Sequence, residues 1–394
     1  MKYDSAPTRL IQLSILFLSV LTVAGCHSMV EKKFNRCENM TPPEVSQEIQ
    51  KLHSELIITD MHADTLLWKR DFLERSDYGH LDLPRAIDAN LAFQVFGVVT
   101  KTPKNQNIQS NDSDTDNIKL LTIIQGWPMR CWSSLFERAL YQAEKLNEYA
   151  EASEGRFMMV KDQEDLSYLL EQRHAGNKLL GGFCGLEGVH ALEGDLNNLD
   201  KLYDAGFRMI GLLHFFDNEA GGSAHGLVKG GLTEFGTNLV KAVQKKGMVI
   251  DLVHSSPTVI DDVLKISTAP VVSSHTGVKG TCDNMRNLSD EQIKGIAETG
   301  GIIGIALFEK ALCGSSIEDT ARAIRYTADL VGVEHVGLGS DFDGAVKTSI
   351  DITGLPTLTE ALIKQGFSNE EIRKIMGGNL IRVLKETLKK RTIK

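Results

Sequence analysis

The chain has 394 residues, of which 42% are hydrophobic and 24% charged, as in ordinary soluble globular proteins. This length allows one large domain or two medium ones, and either can bury a full core. The formal net charge of −9 gives no electrostatic support to a nucleic-acid-binding role. The sequence has no heptads, no low-complexity tract and no repeat of about 20–50 residues.

The first 25 residues have the features of a signal peptide. Lys2 and Arg9 precede an apolar run, "LIQLSILFLSVLTVAG", which is short for a spanning helix of ~20 residues and ends in small residues. The exit "LTVAGC" resembles the lipobox of bacterial lipoproteins, in which the cysteine becomes the lipidated first residue. The alternative is an ordinary signal peptide followed by a chance cysteine. We predict cleavage after residue 25 and lipidation of Cys26.

The next residue, His27, is not the Asp of the inner-membrane retention signal. We therefore expect a lipid-anchored protein of the bacterial cell envelope, in the outer membrane rather than the inner one. Residues 26–48 are polar and lack periodicity, which predicts a short tether, and residues 49–394 form one domain. Past Cys26 the chain has an odd number of cysteines, so at least one cannot pair within it. They are Cys37, Cys131, Cys184, Cys282 and Cys313.

Eight apolar, β-rich runs follow along the chain. They are "LIITDMH" (56–62), "AFQVFGVVT" (92–100), "LLGGFCGLEG" (179–188), "RMIGLLH" (208–214), "MVIDLVH" (248–254), "PVVSSH" (270–275), "GIIGIAL" (301–307) and "VGLGSDFDG" (336–344). Helical patterns fill the gaps. Ser289 with Gln292 and Ser368 with Glu371 have the spacing of capping boxes, and Gly300 is placed to end the first of these two helices.

Eight apolar strands separated by helices indicate parallel pairing, and their number and the chain length predict a (β/α)₈ TIM-like barrel. An open doubly wound sheet is the alternative, but no Gly-rich phosphate loop follows the first strand. Residues 71–150 contain only one of the eight strands. We expect an insertion between the first and third strands, including an exposed loop, Asn105–Asn117.

Metal-ligand side chains stand at the strand ends, where a barrel of this type carries its chemistry. His62 and Asp64 are two apart and share a face if the first strand persists. Any one such residue alone could simply meet solvent, but four of the eleven histidines occupy such ends. The remaining ligand-type residues at strand ends are Glu187, His214, His254, His275, Asp341 and Asp343.

Five of these residues provide more ligands than one tetrahedral ion needs. They are His62, Asp64, Glu187, His254 and His275. A bridging carboxylate with two oxygens would let the set hold two ions, each with an open position. Two cations ~3.5–4 Å apart polarise a carbonyl and hold a hydroxide. Nitrogen and oxygen ligands favour Zn²⁺ over Mn²⁺, Co²⁺ or Fe²⁺.

The chain resembles the membrane dipeptidase (renal dipeptidase) family of binuclear zinc peptidases, peptidase family M19. The motifs that carry the resemblance are "DMHADT", "GLEGVHAL", "LLHFFDNEAGG", "GGLTEFGTNLVKAVQKKGMVIDLVHSS", "APVVSSHTGVKGTCDNMRNLSDEQI", "VGLGSDFDG" and "GGNLIRVL". In this order they extend from Leu56 to Leu384. The resemblance implies two zinc ions per chain, with His62 and Asp64 on one, His254 and His275 on the other, and Glu187 bridging.

The resemblance also implies roles for residues outside the ligand set. His214 is expected to stabilise the oxyanion, and Asp341 to carry the proton to the leaving amine. Arg286 is expected to anchor the substrate's C-terminal carboxylate, which a guanidinium binds bidentately. Cys282 and Cys313 align with a family disulfide. Asp343, directly before Gly344, has the position of a turn residue and is assigned no functional role.

One departure concerns the seventh strand, where Phe308 stands in place of an aromatic hydroxyl and puts substrate specificity in doubt.

The function expected is a zinc-dependent dipeptidase for dipeptides with a free C-terminal carboxylate. The alternatives are a binuclear amidohydrolase for another small amide, lactone or ester, and a lipid-anchored binding protein without turnover. Arg286 favours carboxylate substrates, and a complete ligand set argues against a dead barrel. The preferred dipeptides, including any D-residues, and homodimerisation stay open.

Overall fold

The computed structural model describes residues 28–391. The predicted signal peptide and Cys26 lie outside the described residues. Among the helices of residues 28–391, none combines the length and the apolar character that crossing a membrane would require.

A parallel β-barrel forms the centre of the domain. Its eight strands, in the order in which neighbours pair, are β2 (Ile58–Ala63), β3 (Leu91–Val99), β5 (Leu180–Glu187), β6 (Phe207–Gly211), β7 (Val249–Asp251), β8 (Val271–Thr276), β9 (Ile302–Ile305) and β10 (Val336–Leu338). The backbone N–H of Asp64 donates to Phe342 O at 2.8 Å and that of Asp341 to His62 O at 3.1 Å. These bonds bring the first strand against the last and nearly close the barrel. Each predicted run overlaps one of these strands, so the TIM-like fold is confirmed.

A buried carboxylate reinforces this closure. Asp60 accepts hydrogen bonds from the backbone N–H of Ser340 at 2.7 Å and from its hydroxyl at 2.6 Å. Gln94 on the next strand donates to the same carboxylate at 3.0 Å. Because Asp60 on β2 is bonded both to Gln94 on β3 and to Ser340, two residues past the end of β10, it fixes the point at which the first and last strands meet.

Helices surround the barrel. They are α1 (Gln47–Ser54), α2 (Leu83–Asp88), α3 (Asn117–Ile124), α4 (Leu135–Ala152), α5 (Gln163–His174), α6 (Asn198–Ala205), α7 (Glu234–Lys245), α8 (Pro257–Ile266), α9 (Asp290–Glu298), α10 (Glu309–Leu312), α11 (Ile317–Val331), α12 (Leu355–Lys364), α13 (Asn369–Arg373) and α14 (Asn379–Thr387). Residues 28–34 are also helical. Both predicted capping boxes are formed, at Ser289 with Gln292 and at Ser368 with Glu371.

The C-terminal helical pattern is not continuous, because a π-helical turn at Lys374–Gly378 separates α13 from α14. Gly377 lies in this turn, and a Cβ there would come within 1.9 Å of the Ile57 carbonyl oxygen. The close approach of the chain before β2 therefore requires a glycine, and it interrupts the regular helix.

The segment predicted as a tether differs from that expectation in its described part. Glu31, in the helical stretch 28–34, is buried and accepts from Arg70 Nε at 2.8 Å. Strand β1 (Arg36–Asn39) pairs in parallel with β11 (Lys347–Ile350). Polarity and lack of periodicity predicted a tether, but these contacts form only with residues distant in sequence, and the segment packs against the domain.

The predicted insertion contains α2, α3 and α4. The loop Asn105–Asn117 is mostly exposed, as expected. It is nevertheless held against the domain: Asn111 N donates to His225 O at 2.8 Å, the His225 ring contacts Ile108 O at 2.8 Å, and Arg138 Nη1 donates to Asp116 Oδ2 at 2.7 Å. A short strand that the sequence did not reveal, β4 (Phe157–Met159), adds to β5 outside the barrel.

Candidate metal centre

The first two ligand candidates meet at the end of β2. His62 Nε2 lies 3.3 Å from Asp64 Oδ2, and both side chains are buried. Asp64 is the residue at which the strand gives way to a short 3₁₀ turn, Thr65–Leu67. The end of the strand therefore points both groups into the mouth of the barrel.

Glu187, at the end of β5, lies between two groups of histidines. Its Oε1 is 3.1 Å from His254 Nε2 and 3.4 Å from His275 Nε2. Its Oε2 is 3.8 Å from His62 Nε2 and 3.5 Å from His214 Nε2. Each carboxylate oxygen thus faces a different set of nitrogen donors, which is the arrangement a bridging ligand needs.

The protonation states of these residues suit ligands. Burial opposes ionisation of Glu187, but His214 and His62 hold the pKa of its carboxyl well below the usual range. Burial lowers the pKa of His254 and of His275 well below that of a free imidazole. An ionised carboxylate and neutral imidazoles are the forms that bind metal ions.

Two observations test whether divalent cations fit this site. Asp64 Oδ1 is buried without a hydrogen-bond partner among residues 28–391, which is costly unless another group satisfies it. Burial lowers the pKa of His62, but Asp64 and Glu187 outweigh it and raise that pKa to about 10, which shows a strongly negative potential. Three groups of residues have ligand atoms that all lie within 4.8 Å of one another. The first is His62, Glu187 and His275, the second is Glu187, His214 and His254, and the third is His62, Asp64 and Asp341. The residues fit metal ions.

Asp341 completes the third of these groups. It follows β10 and has a left-handed backbone with φ of 63°, and His254 has φ of 61°. Such conformations in residues other than glycine cost energy and cluster at functional sites. Burial, reinforced by Asp64 and Glu187, raises the pKa of the Asp341 carboxyl well above its usual value. A carboxyl group of this kind can hold a proton near neutral pH.

Arg286 faces the same site from the loop after β8. It is buried, its Nη1 has no hydrogen-bond partner, and its guanidinium lies 4.7 Å from the centre of the Phe308 ring. Phe308, which stands where the family has an aromatic hydroxyl, therefore lies beside the arginine that is expected to bind the substrate. The structure joins Cys282 and Cys313 in a disulfide, with their Cα atoms 5.4 Å apart, and this bond encloses the loop of Arg286.

His214 lies on the chain just after β6, and its Nδ1 is 3.3 Å from Lys101 O. A carbonyl oxygen can only accept, so Nδ1 donates in this contact. Its Nε2 faces the Glu187 carboxylate. The ring can therefore donate a second hydrogen bond, towards the site, only in its doubly protonated form.

Two glycines of the site escaped the sequence analysis. A Cβ at Gly97 on β3 would lie 2.6 Å from both His62 Nε2 and Asp64 Oδ1. A Cβ at Gly344 would lie 2.2 Å from Asp341 Oδ1. Both positions leave room for the ligand side chains. The only sequence signal was a glycine inside an otherwise bulky strand, "AFQVFGVVT".

Asp343 is a structural residue rather than a ligand. Its carboxylate accepts from Arg70 Nη2 at 2.7 Å, from the Thr65 hydroxyl at 2.8 Å and from the His80 backbone N–H at 2.6 Å. Burial opposes ionisation, but Arg70 and His80 hold the pKa of Asp343 well below its usual value.

Of the described cysteines, Cys37, Cys131 and Cys184 are free.

A parallel eight-stranded barrel with a carboxylate between two groups of buried histidines at its mouth defines the class of metal-dependent barrel hydrolases. A sequence model of the membrane dipeptidase family, peptidase family M19, matches residues 46–393. The chain belongs to this family and is therefore a hydrolase of the metallopeptidase type.

Named relatives support the family assignment. Dipeptidase verJ of Clonostachys rogersoniana is 33% identical over 212 residues, which are 52% of this chain and 55% of that protein. The match thus spans about half of that relative's length. Dipeptidase aclJ of Aspergillus oryzae is 27% identical over 361 residues, 85% of this chain and 79% of that protein.

Solved structures of the family have the same fold. The crystal structure of dipeptidase AC, a metallopeptidase of family M19, has a TM-score of 0.71 and 26% identity and covers 85% of this chain and 99% of that one. A metallopeptidase from Rhodobacter sphaeroides, liganded with a phosphinate mimic of the dipeptide L-Ala-D-Ala, has a TM-score of 0.70 and 25% identity, covering 84% of this chain and 99% of that one.

Proposed function

We propose that this protein is a dipeptidase with two zinc ions, which hydrolyses dipeptides that have a free C-terminal carboxylate. The observation that carries the proposal is the position of Glu187, whose two oxygens face separate histidine groups at 3.1–3.8 Å. A site with a single ion would not need a carboxylate shared in this way.

His62 and Asp64 would hold one ion and His254 and His275 the other, with Glu187 common to both. Bound zinc supplies Lewis acidity and lowers the pKa of water to near neutrality. A set of three imidazoles and two carboxylates, with no thiolate, suits zinc and excludes the softest ions.

The remaining residues orient the substrate and manage charge and protons. Arg286, whose Nη1 has no hydrogen-bond partner among residues 28–391, binds the C-terminal carboxylate of the dipeptide. His214 is placed to donate from Nε2 to the oxygen that becomes negative in the transition state. Asp341, whose carboxylate lies beside His62 and Asp64, takes the proton that the attacking water loses and delivers it to the departing nitrogen.

The decisive experiment combines metal analysis with a matched pair of substrates. Purified protein should contain two zinc ions per chain, and chelation should abolish hydrolysis of Ala-Ala, with recovery on adding zinc. The corresponding dipeptide amide should be a much poorer substrate. Asp341→Asn should lose turnover. Equal cleavage of amide and free acid would reject the carboxylate requirement, and full activity without metal would reject the mechanism.

We extend the proposal to substrates with a D-residue at the C-terminus. The support is the Rhodobacter sphaeroides relative, which is liganded with a mimic of L-Ala-D-Ala. A panel of L,L- and L,D-dipeptides, compared by kcat/KM, tests this point. A strict preference for L,L-dipeptides would exclude it and leave the dipeptidase assignment intact.

We also propose attachment to the bacterial envelope through a lipid on Cys26, in the outer membrane rather than the inner one. The support is the lipobox-like "LTVAGC" and the following His27. Mass spectrometry of the N-terminal peptide of the mature protein would detect the lipid, and membrane fractionation of wild type and Cys26→Ser would locate the protein. An unmodified N-terminus would rule out the anchor.

A further inference from the structure

Apolar side chains are exposed around the first described residues. We define the N-terminal apolar surface as Met29, Leu120, Ile123 and Met129. Their exposed fractions are 71%, 61%, 47% and 74%, respectively. Single exposed apolar residues are common on proteins, but several large ones that adjoin one hydrophobic cluster indicate an interaction site.

These residues extend from one small hydrophobic cluster. Val30, in the helical stretch 28–34, packs against the cluster that contains Ile118, Trp127 and Cys131. Leu121 packs there as well. Since Ile118 and Leu121 use one side of α3, Leu120 and Ile123 face outward on the other. The start of the described chain and α3 therefore belong to the same side of the molecule.

Chain length fixes how far this side can be from Cys26. Two Cα–Cα steps separate Cys26 from residue 28, which is at most ~7.6 Å. The stretch 28–34 cannot swing away freely, because Glu31 is buried in its ion pair with Arg70. A lipid on Cys26 would therefore bring this side of the domain to the bilayer, without the spacer that a 23-residue tether would provide.

We propose that the N-terminal apolar surface rests on the membrane, with its apolar side chains at the level of the lipid headgroups. Exposed Lys33 and Lys119 form no ion pair within residues 28–391, and they would meet lipid phosphates. The net charge of −9 gives the chain no overall attraction to an anionic bilayer. The lipid on Cys26 would hold the protein at the membrane, and the apolar contact would add to the binding that this anchor provides.

This orientation places the catalytic end of the barrel beside the membrane. Trp68, four residues after Asp64, lies in the same cluster as Trp127. The mouth that contains Asp64 and the N-terminal apolar surface are therefore neighbours. The substrates expected are short peptides released close to the membrane surface.

Tryptophan fluorescence can test the orientation, because the chain has three tryptophans and all lie in this region. Trp68 and Trp127 are in the cluster, and Trp132 donates to Trp127 O at 3.3 Å. The mature chain, residues 26–394 with Cys26→Ser and an N-terminal hexahistidine tag, would be attached to vesicles through a nickel-chelating lipid. The vesicles would contain phosphatidylethanolamine and phosphatidylglycerol, with plain or brominated acyl chains.

Brominated acyl chains should reduce the tryptophan emission of the attached protein, and Leu120→Ser combined with Met129→Ser should restore much of it. A matched variant, Tyr168→Ser with Ile363→Ser, removes exposed apolar groups from other helices and should not change the quenching. Emission that is equal on both kinds of vesicle would overturn the proposal. Although the proposal rests on the lipid attachment proposed above, the tag makes this result independent of lipidation and of peptide hydrolysis.

Discussion

Arg70 Nη2 donates to Asp343 Oδ2 across 2.7 Å, in a pair that is almost completely buried. The two residues are 273 positions apart in sequence. Arg70 also binds Glu31, so it joins the N-terminal segment to the turn that carries Asp341. The pair therefore links the stability of the domain to the position of the proposed proton donor.

Arg70→Met should lower the free energy of unfolding by roughly 3–5 kcal/mol, because it leaves buried carboxylates without a partner. It should also reduce kcat, since the turn at Asp341 loses its support. Denaturant unfolding and steady-state kinetics measure the two effects. As a control, Lys364→Met removes the exposed pair with Glu360 and should leave the unfolding midpoint unchanged. Equal effects of both substitutions would contradict the role of the buried pair.

Gly97→Ala should reduce metal binding while the barrel still folds. A Cβ at this position would lie 2.6 Å from His62 Nε2 and Asp64 Oδ1, so the ligands must move. To reach ordinary van der Waals distance they must move by about 1 Å, and a misplacement of that size costs catalysis about 100-fold. Metal content and kcat/KM are the measurements, with circular dichroism to confirm folding. Gly230→Ala is the control, because the nearest atom to its Cβ is 4.0 Å away; unchanged metal content in Gly97→Ala would refute the prediction.

Arg286→Met should raise KM for a free dipeptide and lower kcat/KM by about 100-fold, because a buried charge-assisted contact is lost. Hydrolysis of the dipeptide amide, already slow, should change little. Arg286→Lys keeps the charge but not the bidentate fork and should be intermediate. A similar loss on both substrates would indicate that Arg286 supports the fold of the site rather than the carboxylate.

Stability should fall in mild acid because of His53. The imidazole is buried, with Nδ1 2.8 Å from Thr359 Oγ1 and Nε2 3.1 Å from Ala89 O. Burial lowers its pKa from 6.5 to about 4. The folded state therefore binds this proton less readily than the unfolded state. The contribution of the neutral, buried His53 ring to the free energy of unfolding is complete above pH 6.5, and it is lost as the pH falls towards 4.

The shift at His53 corresponds to about 3 kcal/mol over that interval, since each pKa unit is about 1.4 kcal/mol. His53→Gln cannot titrate, so its unfolding free energy should depend less on pH between 4 and 6.5 than that of the wild type. Chemical denaturation at several pH values measures the difference. Parallel pH profiles for the two proteins would show that His53 is not responsible.

Much of the barrel could be predicted from the sequence because its signals are local. Parallel strands covered on both faces appear as continuous apolar runs, and each of the eight predicted runs overlaps a barrel strand. Capping boxes use residues three apart, so Ser289 and Ser368 could be read directly. Of the strands that escaped, β1 (RCEN) and β11 (KTSI) consist mostly of polar residues, and β4 is a three-residue strand outside the barrel.

The sequence by itself determined which residue types reach the mouth of the barrel, because a ligand that follows a buried strand must stand at its carboxyl end. Only the tertiary structure decided which oxygen of Glu187 faces which histidine, that Gly97 leaves space for His62, and that Arg70 binds Asp343. It also decided that the segment before α1 packs on the domain. These relationships join residues on different strands or far apart in the chain, and their distances are set by barrel closure and packing, which no local pattern encodes.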